Sequence, residues 1–266
     1  MANLLYFRGV KARFFKYHGT GNDFVMMDNR SGEFRLTKEQ VIRLCDRHFG
    51  IGSDGLILVG NSEEADFDMD FFNPDASKSF CGNGSRCAVH FAQTLGMIEK
   101  TCTFKAIDGI HEAVIDGPQV RIRMQDTGKL SNDGIDDVLH TGSPHFIRYV
   151  ENVDSIDLQE MAKGIRFSEK YRAQGINVNL VQVTGPASIK MRTYERGVED
   201  ETLSCGTGVT AAALSFGHRH PGVDKVEVST RGGLLGVEFS ALNAGGFSNT
   251  WLSGPAQCVF EGEIEL

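Results

Sequence analysis

The chain has 266 residues, with 27 Lys plus Arg against 35 Asp plus Glu and a net charge of −8 at neutral pH. Hydrophobic residues make up 41 % and charged residues 23 %, which excludes a disordered chain and a small disulfide-stapled scaffold. Its acidity removes the broad positive field that sequence-independent nucleic-acid or anionic-membrane binding needs, so neither is an expected partner.

In chain order, residues 14–29 read as strand, glycine-rich turn and strand. Thr37 to Phe49 reads as a helix. Thr37 and Gln40 form a capping box, Val41, Ile42, Leu44 and Cys45 give an apolar face, and Gly50 is the expected stop. Two strand-like runs follow, Leu56–Val59 and the alternating Asp66–Phe72. After a turn at Asn73-Pro74-Asp75 comes CGNGSRC (81–87), and then Ala88, Phe91, Ala92 and Leu95 at helical spacing, with Gly96 behind them. Thr101 to Met124 reads as two or three short strands with a hairpin turn at Asp116-Gly117. The order then recurs. Strands at 178–183 and 188–195 flank a Thr-Gly-Pro turn, and SCGTG (204–208) opens a small-residue helix, Val209 to Phe216, ended by Gly217. Strands at 225–229, 234–239, 250–252 and 258–266 complete the chain.

Cys81-Gly82-Asn83-Gly84 and Cys205-Gly206-Thr207-Gly208 therefore each follow strands and each open a helix. They lie 124 positions apart, about half the chain, which indicates an internal duplication. The expected halves are 11–127 and 128–255, with 256–266 returning to the first.

No run approaches the ~18 consecutive apolar residues of a membrane span. The first ten residues hold only a short apolar patch, Leu4–Phe7, broken by Arg8, and read as an extension outside the fold rather than a secretory leader. Six cysteines (Cys45, Cys81, Cys87, Cys102, Cys205 and Cys258) do not suggest a disulfide framework, and a reducing cytoplasm is the expected compartment. Five residues separate Cys81 from Cys87, neither a CxxC nor a zinc-knuckle spacing, so no metal site is expected.

A helix N-terminus presents unpaired N–H groups and about half a positive charge. A cysteine there is expected to have its pKa lowered from about 8.5 toward neutrality, and the glycines behind it let an anionic group approach the backbone. One such turn could be a nucleophile, a phosphate cradle or a buried helix start. Two in a duplicated chain can face one cleft, where one thiolate removes a proton from carbon and the opposite thiol returns one to the other face. The outcome is inversion of a stereocentre, with the carboxylate held by the helix N-termini. That geometry needs no cofactor.

The motifs HGTGNDF (18–24), GIGSDGLI (50–57), FNPDAS (72–77), CGNGSRC (81–87), SPHF (143–146), INVN (176–179) and YERGVEDETLSCGTG (194–208) closely resemble those of the diaminopimelate epimerase family. They run in family order over residues 14–260. The resemblance implies a mixed α/β (α+β) fold of two pseudo-symmetric halves, each a curved, mainly antiparallel sheet around a central helix, with the site between them. It also implies cofactor-independent conversion of LL- to meso-diaminopimelate in lysine and peptidoglycan synthesis, often by a homodimer.

Carried over by position, Cys81 and Cys205 are the acid–base pair and His145 adjusts thiol ionisation. Asn22, Asn73, Asn177, Gly82-Asn83 and Gly206-Thr207 line the substrate, and Glu195-Arg196 serve binding and tuning. Ser143 replaces the asparagine of the family's Asn-Pro-His triplet, Gly55 stands where some members have glutamine, and Asp200 lengthens the spacing between Arg196-Gly197 and Cys205.

The remaining groups read as structural. Cys45, Cys87, Cys102 and Cys258 are expected to pack in the core, His18 and His90 to be structural, and His218-Arg219-His220 to form a solvated turn. Two competing functions follow from the same residues. One is another two-base racemase, of the proline or hydroxyproline type, against which Asn22, Asn177 and Glu195-Arg196 argue by supplying groups for a second amino-acid head. The other is a thiol redox protein switching through Cys81 and Cys205. A catalytically dead binding protein would be expected to have lost one of the two.

Overall fold

A computed structural model describes residues 11–266; the first ten residues, expected to be an extension, lie outside the described residues. Strands β1 (Lys11–Gly19) and β2 (Asn22–Asp28) form an antiparallel hairpin. Its turn holds Thr20 at φ 53° and Gly21 at φ 83°. Glycine adopts that region freely, whereas a β-branched residue there is strained and must be held by its surroundings. After helix α1 (Lys38–Cys45), β3 (Gly55–Gly60) lies parallel to β2 and β4 (Phe67–Phe72) returns antiparallel. Helix α2 (Gly82–Thr94) leads to β5 (Thr101–Ala106), parallel to β4, and β6 (Gly109–Asp116) and β7 (Gln119–Arg123) follow as antiparallel hairpins.

The second half contains β8 (Ser131–Asp133), β9 (Asp136–His140), β10 (Pro144–Tyr149), α3 (Leu158–Arg166), β11 (Asn177–Gly185), β12 (Ser188–Glu195) and β13 (Asp200–Thr202). Helix α4 (Gly206–Arg219), β14 (Lys225–Thr230), β15 (Gly233–Ala241), β16 (Phe247–Pro255) and β17 (Gln257–Glu265) complete it. The pairing from β1 to β7 is repeated here. β9–β10 is antiparallel, β10–β11 parallel, β11–β12 antiparallel, β12–β14 parallel, and β14, β15 and β16 run antiparallel in turn. The two runs meet where β16 lies antiparallel to β7, and β17 pairs with β1.

Helices α2 and α4 occupy equivalent central places. Phe24, Phe67, Phe91 and Phe104 pack in the core that includes α2, and Val209, Leu214, Phe216, Val226 and Val237 in the core that includes α4. Both helices are buried almost all round, which explains their small residues: Ala211, Ala212 and Ala213 let the surrounding strands approach. The shorter α1 and α3 each bury one face, α1 through Val41, Leu44 and Cys45 and α3 through Leu158 and Ala162.

Thr37 and Gln40 form the expected capping box on α1. The helix nevertheless ends at Cys45, short of Phe49. Asp46 turns to extended backbone, and its carboxylate accepts the amides of His48 and Phe49, a local alternative to another helical turn. Helix α4 runs through Gly217 to Arg219, so this glycine does not end it. A Cβ there would fall 2.3 Å from the Phe239 ring, so Gly217 serves close packing. Cys45, Cys87 and Cys102 are buried, whereas Cys258 is exposed on β17, contrary to the core role expected of it. β8–β10 and α3 had no counterpart in the sequence reading.

Candidate active site

The strands before each central helix deliver a cysteine to its N-cap. Cys81 caps α2 with extended backbone (φ −134°, ψ 109°), and its Sγ accepts the Gly84 amide at 3.4 Å. Cys205 takes the same backbone conformation at α4 (φ −119°, ψ 111°) but makes no side-chain cap bond there. The two helix starts abut: a Cβ built on Gly206 would lie 3.6 Å from Gly82 Cα and 3.5 Å from Asn83 Oδ1. The bare glycines keep this junction uncrowded, since a Cβ on Gly206 would also press on Leu252 at 3.1 Å, and the approach gathers both sets of unpaired helix N–H groups in one place.

Hydrogen bonds tie the halves together around this point. Asn83 Nδ2 donates to Ser204 O at 2.9 Å and to Asn22 Oδ1 at 3.3 Å, and the Cys81 thiol lies 3.7 Å from the same Asn22 oxygen. Thr20 Oγ1 donates to Ser204 Oγ at 3.0 Å, one of the contacts that hold its left-handed backbone. A Cβ on Gly232 would fall 1.8 Å from Thr20 O, so this turn is seated directly on the second half. Asn22 in turn donates to Asp54 at 2.7 Å, and Arg47 bridges Asp54 and Asp23, each at 2.7 Å. Burial raises the Asp23 pKa, but Arg47 and Lys16 outweigh it and hold the carboxyl at about 2.

On the other side His145, fully buried on β10, places Nε2 2.9 Å from Thr207 Oγ1, which lies 3.5 Å from Cys205 Sγ. Asn179 Nδ2 donates to Phe146 O at 2.9 Å and faces His145 Nδ1 at 3.2 Å. The Phe146 carbonyl can only accept, so it orients the Asn179 amide, makes Nδ1 the acceptor and leaves the ring proton on Nε2. Thr207 then accepts from His145 and directs its own proton at the Cys205 sulfur. Burial, followed by the nearby His140 and Arg196 charges, pushes the His145 pKa down to about 3. The ring is neutral.

Glu195, at the end of β12, accepts from Thr202 Oγ1 at 3.0 Å. Burial first, and then the facing Asp54, raise its pKa, and its charge acts on both thiols. Arg196 donates its amide to Asn177 Oδ1 at 2.8 Å, and Asn177 Nδ2 reaches Ser143 Oγ at 2.9 Å, so Ser143 occupies hydrogen-bonding space beside both. The Arg196 guanidinium is exposed and donates to Gln174 O at 3.0 Å. Asn73 stands apart, its amide donating within its own loop to Ser77 and Ser79.

The thiols do not show the near-neutral pKa expected of helix N-caps. Burial pushes Cys81 up to about 11 against the Gly84 amide, and pushes Cys205 up further. Desolvation penalises the thiolate more than the helix start favours it, and Glu195 adds to the penalty.

Sequence reasoning missed Asn179, Thr20, Ser204, Arg47 and Arg86. A signal existed for Asn179: it lies two residues from Asn177 in β11 and so shares its face. Among the described residues no cluster of His, Cys, Asp and Glu could hold a metal ion, and no helix is long and apolar enough to cross a membrane.

The duplicated α/β scaffold, with a central helix in each half, is a class of fold seen in solved structures. A phenazine biosynthesis protein of the PhzF family from Bacillus anthracis matches with a TM-score of 0.73 over 96 % of this chain and 99 % of its own, at 15 % identity. That likeness shows the fold alone. The family model for diaminopimelate epimerase matches residues 14–130 and 138–259. The diaminopimelate epimerase of Flavobacterium psychrophilum is 43 % identical over 95 % of this chain and 100 % of its own length. That of Chlorobaculum tepidum is 42 % identical over 93 % and 99 %. The chain belongs to the diaminopimelate epimerase family, isomerases of lysine biosynthesis. The proline-type racemase and redox readings fall with that result.

Proposed function

We propose that Cys81 and Cys205 are the two proton carriers of the epimerisation. The observation that carries this reading is the meeting of two cysteine-capped helix starts, with Gly82 and Gly206 in contact between them. Residues 11–127 and 128–255 act as the two halves of the site, and 256–266 complete the first.

The substrate α-carboxylate sits on the backbone amides of Gly82-Asn83 and Gly206-Thr207, where it is held as negative charge builds on the adjacent carbon. The thiolate of one cysteine takes the α-proton. The thiol of the other delivers its proton to the opposite face and becomes the thiolate, so charge and protons balance. The reverse turnover restores the starting state. In the substrate-free site both thiols are protonated near neutral pH, so one of them releases its proton to solvent as substrate binds. The arriving α-ammonium brings a positive charge beside the sulfur and favours its anion. Thr207, oriented by neutral His145, donates to Cys205 sulfur and helps it carry charge. Asn22, Asn177, Glu195 and Arg196 bind the second amino-acid head, and Asn73 lines the substrate from its own loop. The enzyme works in the cytoplasm as a homodimer, with diaminopimelate as its small-molecule substrate and no cofactor.

The test follows the α-proton of LL-diaminopimelate by NMR in deuterated water. Loss of that signal together with appearance of the meso isomer, with both activities abolished in Cys81→Ala and Cys205→Ala, supports the reading. Epimerisation by either alanine variant at a near-normal rate refutes it.

A further inference from the structure

Arg86 is a fully buried side chain on α2, and the mechanism above does not use it. Its chain points back toward the helix N-terminus, as helical side chains do. One guanidinium nitrogen donates to Asn83 Oδ1 at 3.0 Å and Thr20 Oγ1 at 3.2 Å. Longer contacts reach Gly82 O at 3.4 Å and Pro255 O at 3.5 Å. Every acceptor is neutral. The ionisable groups that act on Arg86 are the thiols of Cys87 and Cys81, and among the described residues no carboxylate pairs with it. Burial lowers its pKa to about 10, which leaves it a cation at neutral pH. A desolvated, unpaired guanidinium is costly, and such costs are retained where a site uses the charge.

The duplication provides an internal control. Counting from each cysteine, Arg86 corresponds to Thr210. Thr210 Oγ1 donates to Gly206 O at 3.0 Å, the equivalent of the Gly82 carbonyl that Arg86 approaches. The same backbone need is thus met by a neutral hydroxyl behind Cys205 and by a cation behind Cys81. The other charged groups acting on the pair, Glu195 from β12 above all, oppose ionisation of both thiols and do not distinguish them.

We propose that Arg86 is the fixed counter-cation of Cys81, so that the first thiolate of the free enzyme forms on Cys81 rather than on Cys205. Arg86 acts through its field and touches no substrate. The inference rests on the reading of Cys81 as a proton carrier. Cys87, which the same arginine also faces, is excluded as the beneficiary because it is fully buried in the core around α2, whereas Cys81 at the helix start is partly exposed to the cleft.

Two substitutions separate charge from hydrogen bonding. Arg86→Gln keeps donors and loses the charge; Arg86→Lys keeps the charge and loses the planar fork. The pH dependence of iodoacetamide alkylation is read separately at Cys81 and Cys205 by peptide mass mapping. The expected result is an alkaline shift of the Cys81 midpoint by on the order of one pH unit in Arg86→Gln, about 10-fold less thiolate at a given pH. Arg86→Lys should keep the wild-type midpoint, and Cys205 should not move in either. If Arg86→Gln does not fold, Arg86→Lys is read alone. A wild-type order with Cys205 ionising first, or a Lys midpoint displaced at Cys81, then overturns the proposal. In folded variants, equal shifts in Gln and Lys, or none in Gln, also overturn it. An active Cys81→Ala enzyme would instead remove the mechanistic reading beneath it, so the two failures are distinguishable.

Discussion

Neutral His145 makes stability depend on pH in a window where few other groups titrate. In the unfolded chain a histidine binds a proton near pH 6.5, whereas in the folded protein burial holds His145 neutral down to about pH 3. Its folded pKa is depressed, so below pH 6.5 the unfolded state binds a proton that the folded state refuses, and stability falls as pH falls. Between pH 7 and pH 5 the loss attributable to this ring is about 2 kcal/mol, below the ceiling of 1.36 kcal/mol per unit because the unfolded histidine is only partly protonated near pH 6.5. For a chain of this size that corresponds to roughly 4–8 °C in melting temperature. Half-buried His90 is shifted in the same direction and adds to the wild-type slope. Asp23 contributes in the same sense only below about pH 4, as its carboxylate becomes protonated. Raised Glu195 works the other way: it favours the fold at low pH and loses that contribution as pH rises through its folded pKa. His145→Gln isolates the ring, because glutamine takes up no proton. Urea unfolding at pH 7, 6 and 5 should show the wild-type slope reduced by close to one proton in the variant, whatever its absolute stability. Identical slopes would mean that His145 is protonated in the folded enzyme, and the Asn179–His145–Thr207–Cys205 chain of hydrogen bonds would need reversing.

Cys81→Ala and Cys205→Ala should each lower turnover by at least about 10²–10⁴-fold, with the double variant little worse than either, since the thiols act as a unit; steady-state kinetics checks this. Arg196→Lys should lower kcat/KM while moving the melting temperature little, because the guanidinium is exposed and its structural bond to Gln174 O is within reach of an ammonium. A large melting shift with unchanged kinetics would make Arg196 structural. Peroxide should abolish activity by joining Cys81 to Cys205, faster as pH rises because burial keeps both thiols protonated near neutrality, with recovery in dithiothreitol and protection by saturating substrate, which separates the sulfurs. Peptide mapping decides, and exposed Cys258 should be modified without loss of activity.

Some of this protein was legible in its residues alone. The Thr37–Gln40 box announced α1, Asp116-Gly117 a hairpin, and the twice-written Cys-Gly-x-Gly a duplicated helix start. Each is a local signal, carried by a few adjacent residues whose backbone preferences act before any tertiary contact. Helix α3 was also within reach, since Asp157 caps it three residues before Glu160. Other features depend on what arrives from a distance. The Gly50 stop expected for α1 gave way to Asp46, and Gly217 continued α4 because Phe239 packs on it from another strand. Cys258 proved exposed because β17, paired beside β1, leaves most of its residues open to solvent. Helix starts favour thiolates, and the sequence carried that half of the electrostatics for Cys81 and Cys205. Only the tertiary structure supplied the other half. Burial of both sulfurs, Glu195 beside them and Arg86 behind one of them come from residues far apart in the chain, and desolvation, which no short motif encodes, decides the outcome.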